Sequence, residues 1–192
     1  FSIHASDPSP DVLVFNDTFT NYFNPEVGQA AVEVLRAAGY QVGVAANACC
    51  GRTLISKGLL TKAREQAERN TEALIGEVER GRKIAFCEPS CLSAMREDAP
   101  SLLRGDAQRK AQAVAEACVL FEELAEKGPL NLRPGPSKIL LHGHCHLKAM
   151  GLLPVSKALL GRIPGTTVVD PDAGCCGMAG SFGYAKDHFD IS

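Results

Sequence analysis

Two pairs of adjacent cysteines, Cys49-Cys50 and Cys175-Cys176, are the residues of this sequence best suited to chemistry. Each pair is followed at once by a glycine, Gly51 and Gly177. In extended backbone neighbouring side chains point to opposite faces, so two thiols serve one object only where the chain turns sharply between them. Glycine permits that turn because it has no Cβ to clash. Paired thiolates are soft donors that suit iron–sulfur clusters, zinc or copper. Cys91, in the run Glu88-Pro89-Ser90-Cys91, could complete a site with Cys49 and Cys50. The run His142-Gly143-His144-Cys145-His146 is the densest ligand cluster in the chain. Imidazole together with thiolate suits zinc or iron, although a histidine can equally orient another ligand through its second ring nitrogen. Cys87 and Cys118 read as buried core thiols, and His4 and His188 have no ligand context.

The glycine-rich stretch 174–184 invites a different reading, as a phosphate cradle. It lacks the GxxxxGK[ST] pattern, and its glycines do not form a GxGxxG after a strand, so nucleotide binding is not expected there. Backbone amides approaching cluster sulfurs would instead tune a redox potential.

These residues need a scaffold that brings them together. Short apolar runs at 11–16, 41–46 and 83–87 predict strands, and helical patterns at 25–38 and 60–80 separate them. A further helix is expected over 107–127. The Gly- and Pro-rich stretch 128–137 reads as a connection. The series then restarts with a strand at 138–141, a helix around 155–160 and a strand at 166–169. Asp17 precedes Cys49 by nearly the same interval as Cys145 precedes Cys175. The expectation is therefore an α/β fold of two pseudo-twofold-related Rossmann-like βαβ units with mostly parallel strands. The first repeat would span 1–127 and the second 128–192, within one compact cysteine-rich domain. Both cysteine pairs follow a predicted strand's C-terminal end, where open α/β sheets place their ligands.

Composition narrows the classes. The 192 residues carry 20 basic and 22 acidic side chains, a formal charge of −2, and no basic cluster, which argues against nucleic-acid binding. With 45% hydrophobic and 22% charged residues the chain is not disordered, and no apolar run is long enough to span a bilayer. Eight cysteines in a chain with ample aliphatic residues point to a reducing, cytoplasmic setting rather than a disulfide scaffold. A start without Met or a leader pattern suggests a piece of something longer.

The doubled CCG, the EPSC at 88–91 and the HxxCH at 142–146 together resemble the cysteine-rich CCG-domain family. That family includes the cysteine-rich component of heterodisulfide reductase and the iron–sulfur components of glycolate, lactate and glycerol-3-phosphate oxidoreductases. The stretches VFNDTFTNYFNPEVG, EPSCLSAMREDAP, HGHCH and GCCGMAGSFGY are most similar to the C-terminal region of fused FAD-linked oxidases. The resemblance implies a metal-binding, electron-transfer module of an FAD-linked 2-hydroxy acid dehydrogenase or oxidase, with flavin and substrate handled outside this chain. It implies a 4Fe-4S cluster held by Cys49, Cys50 and Cys91 in the first repeat and by Cys145, Cys175 and Cys176 in the second, with His142, His144 and His146 as further candidates. Asp17 and Glu88 stand where that family has cysteines. Carboxylates are harder donors, which opens zinc or mononuclear iron, or no metal, as alternatives, and Asp17 could simply cap a helix. A closing cysteine segment of the second repeat would lie past Ser192. The implied partners are FAD-binding and ferredoxin-like regions of the same or another chain, and an electron acceptor such as a quinone or carrier protein, with a quinone placing the module peripherally at the inner membrane face. The competing reading is a redox-silent structural zinc or iron module that docks partner domains. A third is direct thiol–disulfide catalysis by the vicinal cysteines.

Overall fold

The computed structural model describes residues 7–178 and 182–190. His4 and part of the glycine-rich stretch 174–184 thus lie outside the described residues.

Strand β1 (Val12–Val14) leads through α1 (Thr18–Tyr22) and α2 (Pro25–Ala37) to β2 (Val42–Val44). Helices α3 (Arg52–Ser56) and α4 (Leu60–Glu79) precede β3 (Lys83–Phe86). Next come α5 (Pro89–Ser93), one π-helical turn (Ala94–Asp98), α6 (Ala99–Leu102), α7 (Gly105–Ala117), β4 (Cys118–Leu120) and α8 (Phe121–Ala125). The strands form one parallel sheet of order β2-β1-β3-β4. Alternation along each strand sends side chains to both faces, and both faces are covered. Leu13, Phe15, Ile84, Phe86, Cys118 and Leu120 pack with Leu74 of α4, Leu92 of α5 and Val114 of α7. Val12, Val14, Val42 and Ala85 pack on the other side with Val32 and Leu35 of α2 and Leu124 of α8. Phe15 and Phe86 stack with ring centroids 4.4 Å apart at the centre of the first layer.

The helix expected over 107–127 is broken. Cys118, Val119 and Leu120 pair in parallel with Ile84, Ala85 and Phe86. The sheet's open edge is satisfied by these three residues, and burial of Cys118 and Leu120 outweighs the helical propensity of the alanine-rich run before them. The Glu123 carboxylate accepts the Leu120 N–H at 2.7 Å and restarts the helix. Cys118 is fully buried, as expected of a core thiol, but lies in a strand rather than mid-helix.

Beyond the connection, β5 (Lys138–Leu140) and β6 (Thr167–Val169) form a separate parallel pair around α9 (Cys145–Ala149) and α10 (Leu153–Gly161). The fold is thus mixed α/β with parallel sheets, but the sheets differ in size, with four strands and two. What the halves share is a parallel strand pair with a helical crossover. Leu147 of α9 enters the first core, and Ser156 of α10 donates to Glu122 of α8 at 3.0 Å. Arg162 adds hydrogen bonds to the carbonyls of Ala125 at 3.3 Å and Glu126 at 2.5 Å.

Candidate metal centre

The first thiol group forms where β1, β2 and β3 end. Gly51 takes φ +85°, the left-handed conformation that lets the chain turn from Cys50 into α3. Asn70, fully buried on α4, fixes the turn from below: its Oδ1 accepts the Ala48 N–H and its Nδ2 donates to the Cys49 carbonyl, both at 2.9 Å. Cys50 is turned inward, and its Sγ lies 2.8 Å from the Sγ of Cys91 at the start of α5. Cys49 is exposed beside it. Cys50 thus bridges toward Cys91, with Cys49 next to it in the chain at the turn. Donating to Cys50, and then partial burial, push the Cys49 thiol up. For Cys50 the bond from Cys49 favours ionisation, but the bond to Cys91 and burial outweigh it, leaving the thiol raised. Cys91 accepts from Cys50, which lowers it, yet burial and the nearby Asp17 and Glu88 carboxylates leave it raised. Burial also pushes Cys87 and Cys118 up to about 12. All five thiols are held neutral.

The two carboxylates in this group act as helix caps. Asp17, 1% exposed, accepts the Thr20 N–H at 2.8 Å and the Thr20 hydroxyl, closing the start of α1. Glu88 accepts the Ser90 N–H at 3.0 Å at the start of α5. Such caps satisfy the first N–H groups of a helix. Arg52, directly after the CCG turn, ties this turn to the EPSC segment through the Ser90 carbonyl at 3.2 Å, the Ser93 hydroxyl at 3.0 Å and Asp98 at 2.5 Å.

The second group lines a cleft of about 380 Å³ with His142, Cys145, Lys148, Cys175 and Cys176 around it. Gly177 takes φ +78°, so both CCG turns use the same left-handed glycine, and the Gly177 N–H reaches Cys175 Sγ at 3.4 Å. His142 Nε2 lies 2.9 Å from the Gly174 carbonyl. A carbonyl only accepts, so Nε2 carries the proton and Nδ1 keeps a free lone pair. His144 is committed at both nitrogens. Its Nδ1 accepts the His146 N–H at 3.2 Å as the N-cap of α9, and its Nε2 faces Glu88 Oε1 at 3.6 Å. His146 stacks on His144 with centroids 5.6 Å apart, and burial followed by the Arg52 charge lowers its pKa.

The residues present can be tested against a metal centre. Among the described residues no three His, Cys, Asp or Glu side chains are arranged to hold a metal ion. In the first group the two carboxylates are spent on caps, which leaves the thiols of Cys49, Cys50 and Cys91 as its donors. In the second group the donors suit a soft metal in kind. Cys145, Cys175, Cys176 and His142 face one cleft, and all eight cysteines are free thiols.

Sequence reading thus named the cysteines but missed Asn70, Arg52 and Lys148. Asn70 left one signal, a polar side chain on the apolar stripe of α4.

Parallel α/β layers with thiols gathered at strand C-terminal ends define a cysteine-rich α/β module. Residues 14–96 match the family described as CCG, cysteine-rich domain. Over 184 residues the chain is 33% identical to one of the subunits of the anaerobic glycerol-3-phosphate dehydrogenase of Escherichia coli K12, covering 94% of this chain and 46% of that protein. It is 26% identical to the D-2-hydroxyglutarate dehydrogenase of the same organism, over 97% of this chain and 18% of that protein. It is also 26% identical to an uncharacterised iron–sulfur protein of Methanocaldococcus jannaschii, over 91% of this chain and 34% of that one. The chain spans about half the length of the first of these relatives, or less for the others. Among the described residues no helix is long and apolar enough to cross a membrane.

Proposed function

We propose that this chain is the metal-binding electron-transfer module of an FAD-linked oxidoreductase acting on a 2-hydroxy acid, passing electrons from flavin to an acceptor such as a quinone or carrier protein. The observation that carries the reading is the second cleft, whose lining includes Cys145, Cys175, Cys176 and His142 beside a CCG turn. An iron–sulfur cluster bound there would accept and release single electrons. Cys145, Cys175 and Cys176 would hold it, with His142 as the fourth donor. The Gly177 N–H reaches Cys175 Sγ at 3.4 Å. Lys148, which also lines the cleft, donates to the Ala173 carbonyl at 3.3 Å. The similarity to part of a glycerol-3-phosphate dehydrogenase, to a 2-hydroxyglutarate dehydrogenase and to an iron–sulfur protein supports the reading. In the first group Asp17 and Glu88 cap α1 and α5, and Glu88 also meets His144 of the second half at 3.6 Å.

The test is iron and sulfide analysis with EPR on the full-length protein prepared without oxygen. Iron and acid-labile sulfide are expected, and both should fall when Cys145, Cys175 and Cys176 are replaced by Ser. Stoichiometry unchanged in that variant sinks the assignment. The imidazole in the cleft favours a second reading, a redox-silent structural zinc or iron module that docks partner domains. Zinc without iron, and no EPR signal on reduction, would decide for it.

A further inference from the structure

Lys148 stands one helical turn after Cys145 in α9, on the same face, and both line the second cleft. Its stem passes close over Gly143, which is buried. A Cβ built on that glycine would meet Lys148 Cε at 3.2 Å and Leu153 Cδ1 at 2.7 Å. A side chain at 143 would crowd both, so the glycine inside the HGHCH run is what gives the lysine stem its path. From there Nζ donates to the Ala173 carbonyl at 3.3 Å. The next carbonyl, that of Gly174, accepts from His142 Nε2 at 2.9 Å. Two consecutive carbonyls immediately ahead of Cys175 and Cys176 are therefore gripped by two donors from the segment that carries Cys145. The gripped stretch leaves a turn at Asp172, whose φ is +48° and whose N–H donates to Asp170 Oδ1 at 2.9 Å. Left-handed backbone is uncommon outside glycine and persists where its surroundings hold it.

We propose that Lys148 is a positioning residue: with His142 it clasps residues 173–174 and so sets how near Cys175 and Cys176 stand to Cys145. The clasp belongs to the protein before anything binds, whereas its service to a metal rests on the function proposed above. Cys175 and Cys176 lie between Gly174 and Gly177, in a stretch that is exposed and costly to order. A clasp that meets this cost during folding leaves less of it to be met when an ion binds. Lys148 acts through the backbone and not as a ligand, in the way that outer partners orient the ligands of a metal site. It also separates the two roles open to His142, because removing the lysine leaves both imidazole nitrogens in place.

Full-length protein, reduced and freed of metal with a chelator, is treated with dibromobimane, which joins two thiols only when they are close, and the products are mapped by mass spectrometry. The quantity read is the product joining Cys145 to Cys175 or Cys176, relative to the product joining Cys175 to Cys176, which the clasp does not govern. Lys148→Met keeps an unbranched stem against Gly143 and removes the donor. The ratio should then fall roughly threefold to tenfold, the range that one ordinary hydrogen bond spans. Lys148→Arg returns a donor and should recover most of the loss. Circular dichroism confirms that each protein is folded. A Lys148→Met ratio equal to that of wild type overturns the proposal, as does the absence of any Cys145-linked product in wild type. A loss that Lys148→Arg leaves in place overturns it too, since packing alone then accounts for the effect. On protein not freed of metal, the rate at which iron passes to a chelator should rise by a similar factor in Lys148→Met and return in Lys148→Arg. An unchanged rate beside a changed cross-link ratio overturns the service to a metal. Wild type that holds no iron, with the cross-link difference intact, sinks the proposed function and leaves the clasp standing.

Discussion

His144 of the second half presents its Nε2 to Glu88 of the first at 3.6 Å, while each residue caps its own helix. Two helix starts, those of α5 and α9, thereby face each other across the boundary between the thiol groups. The pair is partly solvated, with 34% and 24% of the side chains exposed, and such pairs couple weakly. A double-mutant cycle with Glu88→Gln and His144→Gln, read by urea denaturation, should give a coupling of about 1 kcal/mol or less. Because Gln keeps an oxygen that can accept the cap N–H at either position, each single variant should cost little beyond the coupling itself.

Asn70→Ala removes both hydrogen bonds that hold the Cys49 turn and leaves the Ala48 N–H without its acceptor. The expected loss is on the order of 1–3 kcal/mol in unfolding free energy. Alkylation of Cys49 and Cys50 should quicken in the folded variant, which a purely global destabilisation at low urea would not produce.

Gly51→Ala is strained by conformation and not by space. The new Cβ would meet the Gln66 side chain at 3.5 Å, an ordinary contact, but φ is +85°. A cost of roughly 1–2 kcal/mol follows from the left-handed backbone alone, visible as a lowered urea midpoint with the same slope.

The alternation of strand and helix up to residue 87 was legible because each element carries its own periodicity and its own stop, Gly39 and Gly81 among them. Residues 107–127 were not legible, since the alanine-rich run continues a helical pattern straight through Cys118 and only the open edge of β3 asks for a strand there. At the site, the cysteines announced themselves by type and spacing, and the glycine after each pair predicted the turn. The near-contact of Cys50 with Cys91 is a tertiary fact with no local signature. The same is true of His144, whose two nitrogens are occupied by groups chosen by the fold, so its place in a ligand-rich run says little about its role.

Stability should also depend on pH through Glu122. Burial raises its pKa, against the hydrogen bond from Ser156. Between the ordinary carboxylate range and the raised value the folded state binds more protons than the unfolded chain, so stability falls as pH rises through that window. Glu122→Gln, which keeps an acceptor for Ser156, should be more stable than wild type at about pH 7, with the advantage vanishing toward about pH 4. Urea midpoints at the two pH values check it, and a constant difference would contradict it.

The side chains of β5 and β6 are exposed or only half covered, with Leu140 at 64%, whereas β1 is sealed on both faces. A two-stranded sheet with so little cover has small opening free energy of its own. Native-state hydrogen exchange should therefore find the amides of 138–140 and 167–169 trading deuterium long before those of 12–14 and 83–86. The cleft cysteines ride on this breathing end, so an incoming ion can be admitted by a local excursion while the deeper thiol pair stays sealed.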